Sequence, residues 1–464
     1  MRTNKISILS LLLVFLVCNQ LFSQDQALIR LDTERYKEQF KKREGILSIH
    51  KQTIRLKKNG RTIGKVMLGE PVVVAMAEEP MKWGYFQFPS IYRTEDGTLI
   101  ISWQMKADSY KAYGKNGVGK NKMMSRDNGR KWTDYDGSYD KEWYNYMSTD
   151  GDEYMSIETP SPSDLSKTVG VPNAMGEIVN YGISYKFYKD SELPDDLQGI
   201  YVRKWKDRHA KGGQTRAIHA KINDKELLRY STDDQMSVLF RGDIRELKNG
   251  DVVASNYCGF YLDKNGKVLP SGISFYKWNE DGASWDLLGK IPFQPDVKAD
   301  PTGSERKVWG FTEPTFAELR NGRLVCVARS SEEEKLTPMY RSVSEDGGRS
   351  WSEPVAFTPN GVKPRLLELG NGTLVLTSGR PGVQLRFNFD GTGEDWTEAV
   401  EMLPFMKEDG SYNREVSCGY TSLLPINKNS FFLVYSDFLE HDQRGEVRKA
   451  IKIRKVTVKN YKKN

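Results

Sequence analysis

Short apolar runs rich in Val, Ile, Leu, Phe and Tyr recur along the chain, and many of them turn back at an Asp-Gly or Asn-Gly pair. Four such places have the same layout: Thr94-Glu95-Asp96-Gly97-Thr98-Leu99, Glu246-Leu247-Lys248-Asn249-Gly250-Asp251, Glu318-Leu319-Arg320-Asn321-Gly322-Arg323 and Glu368-Leu369-Gly370-Asn371-Gly372-Thr373. Asp-Gly or Asn-Gly between apolar runs is a strong hairpin signal. Pro425 to Ser430, ahead of Phe431 to Tyr435, reads as a degenerate fifth copy.

A second repeat lies beside the first. Ser125 to Trp132 and Ser344 to Trp351 share Ser-x-Asp-x-Gly-x-x-Trp, with the Asp five residues before the Trp. A weaker copy runs from Trp278 to Trp285 with Glu280 in the Asp position, and Asp390 to Trp396 is more degenerate still. The expected roles are structural: Asp accepts backbone N–H bonds inside a turn, Gly supplies a positive φ, and Trp packs on the next sheet. Few amphipathic helix patterns interrupt this series, residues 27–43 being one candidate.

Repeated hairpins of this size predict an all-β fold, a six-bladed β-propeller of four-stranded antiparallel blades. Tandem sandwiches are disfavoured because no linker divides the repeats. Residues 134–225 deviate most and are expected to supply long loops over a pocket.

Composition narrows the chemistry. The 464 residues contain 38% hydrophobic and 11% aromatic residues, enough for a large core, but only 4 His and 4 Cys. A Cys-rich zinc module, a disulfide scaffold or a multi-histidine metal centre is therefore not expected, and neither is a cofactor. Chemistry falls to carboxylates, arginines and tyrosines. Arg2 and Lys5 precede the apolar run Ile6 to Val17, which predicts a secretory signal over 1–24 and a mature domain over 25–464. A lipoprotein signal at Cys18 is disfavoured by Val17, which stands where a small residue is wanted. Cys258, Cys326 and Cys418 are expected to be buried free thiols. Removal of Arg2 and Lys5 with the signal lowers the net charge from +7 to +5, which suits an acidic carbohydrate. The interrupted basic runs at 40–43, 120–123 and 449–455 read as solvated surface, not as a nucleic-acid patch.

The paired Ser-x-Asp-x-Gly-x-x-Trp boxes, the export signal and the order of segments from about residue 80 onward resemble the sialidase superfamily of Asp-box propeller glycoside hydrolases. The segment from Phe311 to Leu324, ending at Arg329, resembles the family segment with a catalytic Glu at its start and a substrate-binding Arg at its end. Gly419-Tyr420-Thr421-Ser422 resembles the segment bearing the Tyr nucleophile. The resemblance therefore implies Glu313 and Tyr420 as catalytic, Arg329 and Arg386 as carboxylate-binding, and Asp108 as the acid/base. Asp140, Asp150 and Asp152 are loop alternatives to Asp108. The family opens its first blade with an aromatic-Arg-Ile-Pro segment; here Phe86-Gln87-Phe88-Pro89 replaces that Arg with Gln87. The Tyr-Glu usual near the C-terminus is Tyr435-Ser436-Asp437, so both the arginine and its supporting Glu are changed. A substrate other than ordinary sialic acid follows.

Such a set makes chemical sense. A carboxylate can take the proton of a Tyr hydroxyl as it attacks, and a neutral phenol avoids repulsion from an anionic sugar. Arginines hold carboxylates in bidentate fashion. The implied function is a secreted or periplasmic exo-acting glycoside hydrolase with a glycan substrate. A lyase acting on uronates, suggested by Tyr420 and the histidines His209 and His219, and a non-catalytic glycan-binding propeller, suggested by Gln87, are the alternatives.

Overall fold

In the computed structural model the four Asx-Gly segments fold into the same turn. In each, the glycine N–H donates to the carbonyl three residues earlier: Gly97 to Thr94, Gly250 to Leu247, Gly322 to Leu319 and Gly372 to Leu369, at 2.8–2.9 Å. The glycine φ values are 85°, 86°, 85° and 81°, the left-handed region that a side chain would strain. The preceding Asx side chain caps the turn, as when Asn321 Oδ1 accepts the Arg323 N–H at 3.2 Å. Each turn joins two antiparallel strands.

The structure describes residues 53–461, apart from 80–83, 95, 106–119, 139–145, 148–153, 159–163, 206–216, 258, 332–336, 381, 404–410, 412 and 414–415. Asp108, Asp140, Asp150, Asp152, His209, Cys258, the 1–24 segment and the candidate helix at 27–43 lie outside the described residues. The described residues are almost entirely strand, with three single-turn 3₁₀ segments. No described helix is long and apolar enough to cross a membrane. Cys326 and Cys418 are buried free thiols, as expected.

The chain divides into two compact units, Met1–Asp136 with Leu367–Asn464, and Gly137–Leu366. In the first, the long strands Ser430–His441 and Val447–Asn460 pair at the centre of a six-stranded sheet, and Gln87–Arg93, Leu99–Gln104, Lys122–Ser125 and Thr133–Asp134 form a four-stranded one. Leu374–Gly379, Val383–Asn388 and Val400–Leu403 pair in that order. Its core is continuous around Phe387, Phe431, Tyr435 and Val456, with a second cluster around Phe86, Trp103 and Val434.

In the second unit, Phe311–Glu318, Leu324–Ser330, Met339–Ser344 and Val355–Ala356 make a four-stranded sheet. An eight-stranded sheet arises because Ile218–Asn223 pairs parallel with Ser284–Ile291, joining two antiparallel sets of four. Gly176–Asn180, Ile183–Lys189, Leu228–Thr232 and Gln235–Met236 form a further four-stranded sheet. Residues 134–225, expected to supply long loops, thus contribute several paired strands among the described residues. The strand pairing gives sheets of four, six and eight strands.

The Asp boxes behave as expected with one addition. Asp346 Oδ1 accepts the N–H groups of Arg349 and Ser350 at 3.0 and 2.9 Å, and these bonds with the Ser350 hydroxyl bring its carboxyl down to about 2. Trp351 stacks on Phe275 at 4.3 Å, a residue of another sheet. The indole of each box also donates back to the glycine carbonyl: Trp132 to Gly129, Trp351 to Gly348 and Trp396 to Gly393. The weak copy at Trp278 departs from expectation. Glu280 bonds the Trp278 indole and Lys204, and Asn279 accepts the turn N–H of Gly282 instead.

Candidate active site

The strand Phe311–Glu318 enters its sheet through a bulge. Thr312 pairs with Arg329, the next regular pair is Thr315 with Val327, and Glu313 and Pro314 fall between. Glu313 has φ 51°, an uncommon value for a residue with a side chain, which the bulge imposes. Out of register with the ladder, its buried carboxylate bonds outside it. Oε2 accepts the Lys363 N–H at 2.8 Å and Arg329 Nη1 at 3.4 Å.

Just beyond lies a partly buried polar tie. Asp243 Oδ2 accepts the Thr315 hydroxyl at 2.7 Å and Arg245 Nη2 at 3.1 Å, while Oδ1 pairs with Arg365. Thr315 Oγ1 in turn accepts the Leu366 N–H at 3.3 Å. Burial alone would raise the Asp243 carboxyl, but Arg365, Arg245 and Thr315 overcome it and hold the value at about 2. The same surroundings act on Lys363, whose ammonium is brought below its ordinary value by burial and Arg365, against the pull of Glu313 and Asp243.

Glu313 and Arg329 both line a cavity of about 570 Å³, the size range of small-ligand sites. Arg241 and Lys307 add positive charge to its walls. Arg306 also lines it, but is committed to Asp300 at 2.9 and 3.0 Å and to the Ser331 carbonyl. Trp309 forms a rigid wall, packed edge-on against Tyr185, Tyr230 and Phe260. At the opposite extreme Tyr181 is 56% exposed. It stands with Gly182 at the tip of the hairpin Gly176–Lys189, both at positive φ, the backbone of a two-residue type I′ turn.

Tyr420, Gln87 and Arg386 belong to the first unit. Tyr420 follows Gly419 (φ 79°) and its ring lies 4.5 Å from that of Phe88. Phe88 has φ 51° and precedes Pro89, as Glu313 precedes Pro314. Gln87 is fully buried. Arg386 is enclosed in the strand Val383–Asn388, where it donates to Gln384 at 2.9 Å and burial brings its guanidinium to about 10. Arg380 lies instead against the Tyr420 segment: its Nε donates to the Cys418 carbonyl at 3.3 Å. Gly379 and Gly419 touch there, so that a Cβ on Gly379 would meet the Gly419 Cα at 2.1 Å. Asp437, two residues after Tyr435, is paired with Lys452 at 2.8 Å. Asp437, Tyr435 and Glu440 outweigh burial and raise the Lys452 ammonium, and burial pushes the Tyr435 phenol up to about 12.

His219 bonds the Gln198 carbonyl at 2.7 Å and lies on Tyr201, away from the cavity lining. Among the described residues no group of His, Cys, Asp and Glu could hold a metal ion.

Arg241, Thr312, Lys363 and Arg380 did not stand out in the sequence. A signal for two of them was present. Nine positions before the turn glycines Gly97, Gly250, Gly322 and Gly372 stand Phe88, Arg241, Glu313 and Lys363, and nine before Asn429 of the degenerate copy stands Tyr420. The repeat thus marks one position per hairpin at the start of its first strand.

No family model matches the sequence, and no curated relative does. Among solved structures, a protein of unknown function from Dyadobacter fermentans is similar with a TM-score of 0.54 at 15% identity, covering 85% of this chain and 99% of that one. The NanB sialidase of Streptococcus pneumoniae (K499G mutant) aligns with TM-score 0.39 and 12% identity over 82% of this chain and 70% of its own. An α-L-arabinanase of Penicillium chrysogenum, solved with arabinobiose, aligns with TM-score 0.41 and 11% identity over 83% and 98%. The likeness to the Dyadobacter protein is one of fold.

Proposed function

We propose that the chain is a secreted glycoside hydrolase on a propeller scaffold that removes a terminal acidic sugar from a glycan. The observation that carries this reading is that Glu313 and Arg329, paired in expectation from a single segment, line the same cavity, with Arg241 and Lys307 adding positive charge. A carboxylate beside guanidiniums in a partly enclosed site suits an anionic ring. Tyr420, Glu313 and Asp108 take the roles the resemblance gives them. The Tyr420 oxygen attacks the anomeric carbon as Glu313 accepts its proton. The glycosidic bond breaks with a proton from Asp108 to the leaving oxygen, and water activated by Asp108 then releases the sugar. With a neutral Gln87 in place of the family's first arginine and Asp437 paired with Lys452, a uronic acid fits better than sialic acid.

The test is to incubate the protein with acidic oligosaccharides and follow released monosaccharide for the parent and Tyr420→Phe. Release by the parent that falls at least 100-fold in the variant supports the reading. Equal release by both removes Tyr420 as nucleophile, and an unsaturated uronate chromophore in the products would identify a lyase.

A further inference from the structure

Thr312 is only 6% exposed, and its hydroxyl has no hydrogen-bond partner among the described residues. Buried hydroxyls are normally paired, because leaving one unpaired destabilises the fold. This one lines the cavity. It also sits directly across the ladder from Arg329. Directly opposed residues of an antiparallel pair carry their side chains on the same face, with Cβ atoms roughly 5 Å apart. That is a suitable spacing for two groups to reach the two oxygens of one carboxylate. The threonine hydroxyl has one proton to donate, and Arg329 has several.

We infer that the Thr312 hydroxyl and the Arg329 guanidinium form a paired grip for the carboxylate of a hexuronate-type sugar in the cavity. The inference rests on the acidic-sugar reading above and deepens it by naming the group that reads the anion. Arg329 supplies charge and Thr312 supplies direction. Glu313 is the very next residue, so the grip would fix the ring relative to the catalytic carboxylate. Sites built to hydrogen-bond a ligand discriminate sharply when that bond is lost, since the buried group is then left unpaired.

The full-length mature protein is tested by thermal shift and calorimetry with D-glucuronate, D-galacturonate and neutral D-galactose, for the parent, Thr312→Val and Thr312→Ser. Valine keeps the shape and deletes the hydroxyl. The expected result is that Thr312→Val melts at or above the parent temperature yet binds the acidic sugar at least tenfold more weakly. Thr312→Ser should keep the affinity, and galactose should not bind any of the three. Parent-like affinity in Thr312→Val overturns the inference while leaving the acidic-sugar reading intact. A clear drop in its melting temperature also overturns it, because the hydroxyl then serves the fold. If the parent neither binds a uronate nor releases one from any oligosaccharide, the acidic-sugar reading fails and takes the grip with it.

Discussion

Glu313 accepts a 2.8 Å hydrogen bond from the backbone N–H of Lys363, two residues that hold the same place in successive hairpin repeats. Both are in the left-handed region of φ, at 51° and 43°, and both precede a proline. Each costs backbone strain, of order 1–3 kcal/mol, that the surrounding structure must offset. The bond fixes one carboxylate oxygen of Glu313 and holds the start of two strands together. The strain is thereby tied to a carboxylate to which the resemblance assigns catalysis.

Asp243 ties the same two strands together a step further on, through Thr315 and Arg365. Replacing it with Asn leaves Arg245 and Arg365, each about a third exposed, without their shared anion, and should destabilise the protein by about 1.5–3 kcal/mol in denaturant unfolding. Its folded value of about 2 lies below the ordinary 3.8. The contribution, about 2 kcal/mol, is therefore fully present above pH 4 and is lost as the pH falls toward 2. Melting temperature against pH should fall over that window in the parent, and the fall should be smaller in Asp243→Asn.

In the second Asp box, Ser344 Oγ accepts the Gly348 N–H at 2.8 Å in a buried turn. Ser344→Ala should cost about 1–3 kcal/mol of stability by leaving that N–H unpaired. Catalytic rate should not change. A loss of activity without loss of stability would mean that the boxes have a role beyond the fold.

Tyr181 lies at the cavity rim on a hairpin tip and is 56% exposed. An aromatic face there can carry the sugar that follows the cleaved one. Tyr181→Ala should raise KM for an acidic oligosaccharide about tenfold, worth roughly 1.4 kcal/mol, and leave a small aryl glycoside unaffected. Equal effects on both substrates would place Tyr181 in the sugar site proper.

The hairpins were legible in the sequence because an Asx-Gly turn is a local event: Asn321 and Gly322 need only their neighbours to adopt it. The Asp boxes were legible for the same reason, down to the Asp346 carboxylate and the following N–H groups. Glu280 stands five residues before Trp285, the spacing of a box Asp, but the turn N–H is taken by the shorter Asn279 one place earlier. Among the strands inside 134–225, Ile218–Asn223 was hidden because one partner is distant, in the parallel pairing of Lys221 with Ser284, whereas the hairpin Gly176–Lys189 is local but turns at Tyr181-Gly182 and lacks the Asx-Gly pair of the repeats. Thr312 was invisible for a different reason: only a cavity distinguishes its unpaired hydroxyl from a strand threonine. Arg380 sits in the turn between two apolar strands with no motif of its own, and the contact of Gly379 with Gly419 that places it beside Cys418 joins segments forty residues apart.

The most direct test of the acidic-sugar hydrolase is to digest a mixed library of uronate-containing and sulfated polysaccharides and identify every released monosaccharide by mass spectrometry, for the parent and for Glu313→Gln. That substitution keeps the size of the side chain and removes the charge that accepts a proton. The parent should release one acidic monosaccharide, and the folded variant about 100-fold less or lower still. Release of only neutral sugars, or equal release by both proteins, would contradict that reading.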